Sequence, residues 1–344
     1  MKTRYAVLFL MFVTLAAVPL AAQPYGSWLV RTSTSAAGFV EIPHSSAFDF
    51  STGFTLEAWV NGSDTGACSS IAGKRYTNGW WIGVCGTTLR SYIKGTSSLV
   101  DGGKVAANDW VHIAVTYDGT TRKHYIDGEL VLSRAETGPM TTNTDPVRLD
   151  SDVAYNFTYG ALDEVRIWNV ARSQADIRGS INKTINAPTA GLVAVYHLDG
   201  SGADSIGGHN GLPSGAVAYL NAPVALTCGS TTSTQLCVAG ARFTVTAKWQ
   251  TPDGVTGIGT VVPGSSSSSG LFWFFSPDNW EVMIKVLDGC GVNNYKWAFS
   301  AATTNVHYQL IVGDVKSGQI KRYFNYQGEI AAAQTDVTAF QTCP

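Results

Sequence analysis

Charged side chains are scarce in this sequence. Lys, Arg, Asp and Glu make up 14% of its 344 residues, against about 25% in an average soluble domain. The 23 basic and 25 acidic residues leave a formal net charge of −2, and the basic residues form no stripe along the chain. This balance argues against nucleic acid and anionic membrane surfaces as partners. Gly, Ser, Thr and aromatic residues fill the gap, as is typical of extracellular all-β proteins.

Long apolar runs are also missing, except at the start of the chain. Lys2 and Arg4 precede an apolar run of about a dozen residues, and small residues follow it. This pattern predicts a cleaved secretory signal peptide over residues 1–22 and a secreted, extracellular protein. No later segment reaches the roughly 18 consecutive apolar residues of a transmembrane helix, so the sequence predicts no membrane span.

Cysteines are few but even in number. An even count in an exported protein favours disulfides over metal binding or redox chemistry. Proximity in the sequence suggests three pairs, of which only the first is supported by two predicted neighbouring strands. The pairs are Cys68 with Cys85, Cys228 with Cys237, and Cys290 with Cys343.

Helical patterns are rare, and alternation with period two dominates. The segment "WVHIAVTYDGTTRKHYIDGELVL", residues 110–132, predicts a three-stranded meander with turns at Asp118 and Asp127. The one helical signal is the capping-box spacing of Ser173 and Asp176. These patterns predict an all-β, antiparallel sandwich followed by a smaller sandwich of immunoglobulin-like size. The predicted boundaries are 23–220 for the first domain, 221–236 for a linker and 237–344 for the second domain.

Motifs of nucleophilic and metal-dependent hydrolases are missing from the sequence. It contains no Gly-x-Ser-x-Gly, no His-Glu-x-x-His, no zinc-spaced Cys/His set and no phosphate loop. The sequence therefore predicts a protein that is not an enzyme.

Five ordered segments of the first domain resemble the laminin-G-like, concanavalin-A-like jelly-roll family, especially its secreted bacterial branch. The resemblance covers roughly residues 25–220 and implies a jelly-roll β-sandwich. The second domain is similar to a C-terminal β domain of secreted bacterial proteins, which implies no function. The five segments are residues 39–49, 53–60, 110–130, 160–177 and 191–212.

The stretch "ALDEVRIW", residues 161–168, places two carboxylates side by side in a predicted strand. Retaining glucanases of this fold resemble each other in a Glu-x-Asp-x-x-Glu strand, whose catalytic pair lies about 5–5.5 Å apart. Asp163 and Glu164 are adjacent, so a regular strand points them to opposite faces. The catalytic pattern is absent, and a scaffold strand is the favoured interpretation.

Calcium binding is a second expectation that follows from the resemblance. Many members of the family bind Ca²⁺ at the rim of the sandwich through hard oxygen ligands. The predicted ligands are Asp163, together with Asp204 and Asn210 of the loop "DSIGGHNG". The family's acid-rich segment reads "TSTSAAGFV" here, without a carboxylate, which weakens this expectation.

Two consecutive tryptophans, Trp80 and Trp81, suggest a sugar-binding surface. One of two neighbouring strand residues faces away from the core, and an exposed indole offers a stacking face for a pyranose ring. Tyr76 and Tyr92 extend this predicted ligand site. The alternative is that a loop or the second domain covers the outward tryptophan.

The sequence thus favours a secreted, non-enzymatic binding or adhesion protein that recognises a glycan or an extracellular protein. Two alternatives stay open. One is a glycan-degrading enzyme with an acid set drawn from loops. The other is a self-assembling structural protein of the cell surface.

Overall fold

The structure is a computed structural model that describes residues 28–31, 38–76, 78–93, 95, 98–153, 160–220 and 226–344. The predicted signal peptide and the first five residues of the predicted linker lie outside the described residues. Strands up to Leu220 form two sheets, and strands from Leu236 onward form two more. We refer to these parts as the first and the second domain. No helix within the described residues is long and apolar enough to cross a membrane.

The described residues of the first domain form fifteen strands and two short helical segments. They are β1 (Trp28–Arg31), β2 (Gly38–Ile42), a 3-10 turn (Ser46–Phe48), β3 (Phe54–Gly62), β4 (Cys68–Lys74), β5 (Trp80–Cys85), β6 (Thr88–Ile93), β7 (Ser98–Lys104), β8 (Val111–Tyr117), β9 (Thr121–Ile126), β10 (Glu129–Ala135), β11 (Val147–Leu149), β12 (Gly160–Trp168), α1 (Gln174–Ser180), β13 (Leu192–Tyr196), β14 (Leu212–Gly215) and β15 (Val217–Leu220).

The second domain contains ten strands and one helical turn. They are β16 (Leu236–Val238), β17 (Phe243–Gln250), β18 (Thr256–Ile258), β19 (Thr260–Val261), β20 (Ser269–Trp273), β21 (Trp280–Gly289), α2 (Cys290–Asn293), β22 (Tyr295–Ala302), β23 (His307–Asp314), β24 (Ile320–Asn325) and β25 (Gln334–Phe340).

The first domain is a sandwich of antiparallel sheets, as predicted. One sheet has eight strands in the order β10-β9-β8-β3-β12-β1-β15, with β13 paired to β12. The other has seven strands in the order β14-β2-β11-β4-β5-β6-β7. Their facing sides enclose one apolar core, to which Val40, Leu56, Trp80, Ile113 and Val165 contribute.

The predicted meander is confirmed as β8, β9 and β10. Val111, Ile113, Val115 and Tyr117 face the core, because alternate residues of a strand share one side. The intervening residues of β8 are buried as well, so the outer side of this sheet is also covered. Part of the cover is α1, whose Ile177 packs against this sheet and whose predicted capping box is present.

The second domain is the predicted smaller sandwich. One of its sheets has the order β16-β17-β23-β24, with β18 paired to β17, and the other has the order β19-β20-β21-β22-β25. Phe243, Phe272, Ile284, Leu310 and Phe340 lie in the core between them.

All three predicted disulfides are present. Cys68 and Cys85 are directly opposite each other on β4 and β5. Cys228 is bonded to Cys237 and ties the segment before β16 to that strand. Cys290 is bonded to Cys343 and holds the C-terminal residues against the end of β21.

A third apolar cluster joins the two domains. Trp59 and Trp110 of the first domain pack with Phe324 and Tyr326 of the second. The Trp59 side chain is fully buried, and its Nε1 donates a hydrogen bond to the carbonyl oxygen of Ile181 at 3.3 Å. The outer side of the eight-stranded sheet is therefore covered by the second domain as well as by α1.

Polar contacts continue this interface around Glu129. Its carboxylate accepts a hydrogen bond from the backbone N–H of Gln327 at 2.7 Å, lies 3.3 Å from His307 Nδ1 and pairs with Arg178 at 2.8 Å. Burial raises the pKa of this carboxyl, but the hydrogen bonds and the positive charges outweigh burial, so the net pKa is lowered. Glu129 is thus held ionised where the domains meet.

Asp127, in the turn between β9 and β10, yields a prediction about pH and stability. Burial raises the pKa of its carboxyl to about 6, although the N–H of His112 and the nearby His307 and Arg322 oppose this. The unfolded value is about 3.9. Folding therefore favours the protonated carboxyl over the ionised one. The stability that follows from this is fully present below about pH 4 and is lost as the pH rises through about 6.

We expect Asp127→Asn to stabilise the protein by about 1–2 kcal/mol at pH 8 and to change little at pH 4. Asn tolerates the left-handed backbone of this position, where φ is 48°, and its side-chain oxygen still accepts the bond from His112. Urea unfolding at both pH values measures the effect, with the exposed Asp278→Asn as control. An equal change in the free energy of unfolding at both pH values would contradict the raised pKa of Asp127.

Candidate functional site

The outer side of the seven-stranded sheet carries three of the four predicted ligand residues. Trp81 on β5 and Tyr92 on β6 are directly opposite each other, and Tyr76 follows β4 after Arg75. The ring centroids of Tyr76 and Trp81 are 5.6 Å apart, edge to face, and those of Tyr76 and Tyr92 are 4.8 Å apart. We call these three side chains the aromatic cluster.

Trp80 does not belong to this cluster. It points to the opposite side of β5 and lies in the core of the first domain, 2% exposed. The prediction that Trp80 contacts a ligand is therefore wrong. Of the two neighbouring tryptophans, Trp80 packs in the core because it lies on the same side of the strand as Ile82 and Val84, two and four residues further on.

Trp81 faces outward but is only 5% exposed. Its Nε1 donates a hydrogen bond to Ser70 Oγ at 2.7 Å. Its six-membered ring lies against Gly83, where an added Cβ would be 2.3 Å from Trp81 Cζ2. The expected exposed indole is thus absent, and the rings that remain partly exposed belong to Tyr76 and Tyr92.

The cluster is held rigidly from below. Asp152 is fully buried, and its carboxylate accepts the backbone N–H of Tyr76 at 3.0 Å. Arg75 takes the left-handed backbone conformation, with φ of 65°, which turns the chain back over the sheet at this point. Two tyrosine rings are therefore presented on a preorganised base formed by Trp81.

Ion pairs flank the cluster on the same side of the sheet. Arg90, two residues before Tyr92, donates hydrogen bonds from Nε and Nη2 to the two carboxylate oxygens of Asp101. Arg148 on β11 pairs with Glu41 at 2.8 Å. Partly exposed aromatic rings beside planar donors and carboxylate acceptors form a surface that can bind a polar ligand with an apolar face.

The acidic stretch of β12 is not a regular strand. The register with β3 shifts between Asp163 and Arg166, and Glu164 has a φ of 50°. This β-bulge overturns the expectation that Asp163 and Glu164 point to opposite faces of a regular strand. The bulge could not be foreseen because it lies at a non-glycine residue in an otherwise alternating sequence.

Neither carboxylate of the bulge is open to a substrate. Asp163 is 3% exposed and Glu164 is 5% exposed. Glu164 pairs with Arg166 at 3.1 Å and with His197 at 2.8 Å. Burial and the neighbouring charges of Glu164 and Asp199 raise the pKa of Asp163 well above its usual value. Asp163 Oδ1 accepts the backbone N–H of Glu164 at 2.9 Å, so both side chains contact the strand itself, in keeping with the scaffold interpretation.

The predicted calcium ligands Asp204 and Asn210 accept hydrogen bonds from backbone N–H groups in and around their loop. Asp204 accepts four backbone N–H groups, from Val195, Ile206, Gly207 and His209, at 2.9–3.1 Å. These bonds use the four acceptor positions of a carboxylate. Asn210 Oδ1 accepts the backbone N–H of Asp204 at 3.0 Å.

Both side chains of that loop thus organise its turns. Within the described residues, no group of three or more His, Cys, Asp or Glu side chains is placed to hold a metal ion. Calcium binding stays a prediction, and no step of the proposed function depends on it.

Comparison with known proteins relates most of the first domain to a known family. Residues 34–178 match the laminin G family model described as the concanavalin A-like lectin/glucanases superfamily. These residues form a laminin-G-like domain. The aromatic cluster and its flanking ion pairs all lie within it.

Individual relatives are distant from this chain. Mouse pappalysin-1 is 33% identical over 73 residues, which are 20% of this chain and 4% of pappalysin-1. A putative carbohydrate binding protein from Bacteroides ovatus has 20% identity and a TM-score of 0.48, covering 58% of this chain and 61% of its own. Domains LG4-5 of the mouse laminin alpha1 chain have 10% identity and a TM-score of 0.37, covering 96% and 84%. The chain thus spans less than two thirds of the length of the first two.

Proposed function

We propose that this protein is an extracellular, non-enzymatic binding protein that recognises a glycan through the aromatic cluster of its laminin-G-like domain. The observation that carries the proposal is the pair of partly exposed tyrosine rings, 4.8 Å apart, on the buried Trp81. The match to a superfamily of lectins and glucanases supports a binding role. The three disulfides support an extracellular location.

The ring geometry favours a glycan. The faces of sugar rings are apolar and their edges carry hydroxyl groups, so a sugar that packs on Tyr92 brings its hydroxyls toward the rim of the cluster. Arg90 and Asp101 lie there and supply donors and acceptors. Binding sites typically combine an apolar aromatic floor with a few polar groups that fix orientation.

The proposal is tested by a glycan-array screen of the wild type and single-residue variants. We expect Tyr92→Ala to weaken binding about tenfold or more, as truncation of an aromatic anchor does. Tyr92→Phe retains the ring and should retain most of the affinity. Tyr295→Ala, in the second domain, removes a tyrosine of similar exposure and is the matched control.

Two other results would redirect the proposal. A blank array together with binding of an extracellular protein, lost in Tyr92→Ala, would make the ligand a protein. A blank array, together with protein binding that no tyrosine variant changes, would contradict a role for the cluster. Running the array in calcium and in chelator tests the calcium prediction in the same experiment.

One observation favours a glycan-degrading enzyme as a second candidate. The protonated form of Asp163 is stabilised beside an ion-paired Glu164, and acid and base roles are often divided between such neighbours. The near-complete burial of both side chains weighs against it. Release of reducing ends from a polysaccharide, abolished by Asp163→Asn, would establish this alternative.

A further inference from the structure

A cleft of about 650 Å³ lies between the two domains, away from the aromatic cluster. Lys104, Asp109 and Asp127 line it from the first domain, and Lys248 and Gln309 line it from the second. The exposed side chain of Lys104 lies at its rim, so the cleft is open to solvent. The volume is within the range of about 300–1,000 Å³ that is typical of ligand sites.

Gln309 is the residue that marks this cleft as a binding site. It lies on β23 and is only 5% exposed. Its neighbours Tyr308 and Leu310 face the core of the second domain, so Gln309 faces the opposite way, toward the first domain. Its side chain has no hydrogen-bond partner among the residues that the structure describes. The nitrogen and oxygen of this amide still contact solvent, so they are available to a ligand in the cleft.

The charges of the cleft cancel. Lys248 pairs with Asp109 across the domain boundary, and the negative charge of Asp127 balances the positive charge of Lys104. A strongly charged ligand therefore finds no complementary field here. The Gln309 amide can donate and accept hydrogen bonds, and the Asp127 carboxylate can accept them. A ligand that fits both must itself donate and accept, as the hydroxyl groups of a sugar do.

We infer that the interdomain cleft is a second binding site, which takes a short neutral saccharide through the Gln309 side chain. The site exists only when the two domains are docked, because each contributes one wall. It is distinct from the aromatic cluster and does not depend on it. Loss of either site leaves the other intact.

The inference is tested by calorimetric titration of the full chain with named probes. The neutral probes are cellobiose, maltose, lactose, xylobiose and chitobiose; glucuronic acid and triglycine are the charged and the peptide probe. We expect at least one neutral disaccharide to bind, and neither glucuronic acid nor triglycine to compete with it.

Two variants locate the binding. Gln309→Leu removes the amide at nearly constant volume and should weaken disaccharide binding about tenfold. It should change the melting temperature little, because it breaks no hydrogen bond to the residues that the structure describes. Ala106→Trp adds bulk from an exposed position that lines the cleft and should abolish binding. Gln334→Leu, elsewhere in the second domain, is the matched control.

The outcomes separate this site from the aromatic cluster. Disaccharide binding that is lost in Gln309→Leu and Ala106→Trp but retained in Tyr92→Ala supports the cleft. Binding that is lost only in Tyr92→Ala overturns the cleft and leaves the proposed function standing. Failure of every neutral probe, or binding of triglycine in their place, also overturns it.

Discussion

Glu57→Gln should lower the free energy of unfolding by about 3–5 kcal/mol. Glu57 is fully buried on β3. Its Oε1 accepts hydrogen bonds from Arg172 Nη1 at 2.8 Å and Trp168 Nε1 at 3.0 Å, and Arg166 Nη1 is 3.7 Å away. Removing its charge leaves two nearly buried guanidinium groups without their shared counter-ion.

The matched control for Glu57 is Glu41→Gln. Glu41 also pairs with an arginine, Arg148, but its side chain is 40% exposed. An ion pair in that environment contributes about 0–1 kcal/mol. Urea unfolding of both variants at pH 7 measures the contrast. Equal losses in the free energy of unfolding would contradict the larger stabilisation that we assign to the buried ion pairs of Glu57.

Trp59→Ala should also destabilise the protein by about 3–5 kcal/mol, since it removes a large, fully buried side chain. Its ring contacts both domains: it packs edge to face with His112 at 5.5 Å between ring centroids, and the Arg322 guanidinium lies 5.3 Å from its ring. The variant therefore weakens the apolar cluster that joins the two domains. We expect the wild type to unfold in one transition and Trp59→Ala to unfold in two.

Trp280→Ala is the control for loss of an indole. Trp280 is 53% exposed on the second domain, so its removal should change stability by less than about 1 kcal/mol. Calorimetry distinguishes one transition from two. A single, unshifted transition in Trp59→Ala would contradict the view that this residue couples the domains.

Much of the fold could be predicted because its signals are local. Alternation and the Asp127–Gly128 turn predict β8, β9 and β10, and the capping box of Ser173 predicts the start of α1. Cys68 and Cys85 lie on strands that are neighbours in the chain. In each case the residues that carry the signal lie within about 20 positions of each other.

The candidate site could be predicted only in part. Alternation requires one of Trp80 and Trp81 to face outward, but it does not say which one, and it does not show that Ser70 and Tyr76 cover the outward ring. The bulge at Glu164 has no glycine to mark it. The interdomain cleft depends on Gln309 and Asp127, which are far apart in the sequence and meet only through the docking of the domains.

The central claim is that Tyr76 and Tyr92 form a glycan-binding surface. The most direct test is a calorimetric titration of the double variant Tyr76→Ala/Tyr92→Ala with the glycan that the wild type binds most tightly on the array. Binding should be undetectable while the variant still unfolds in a cooperative transition, because both rings are partly exposed and lie above Trp81, outside the core. Wild-type affinity in the double variant would contradict the claim.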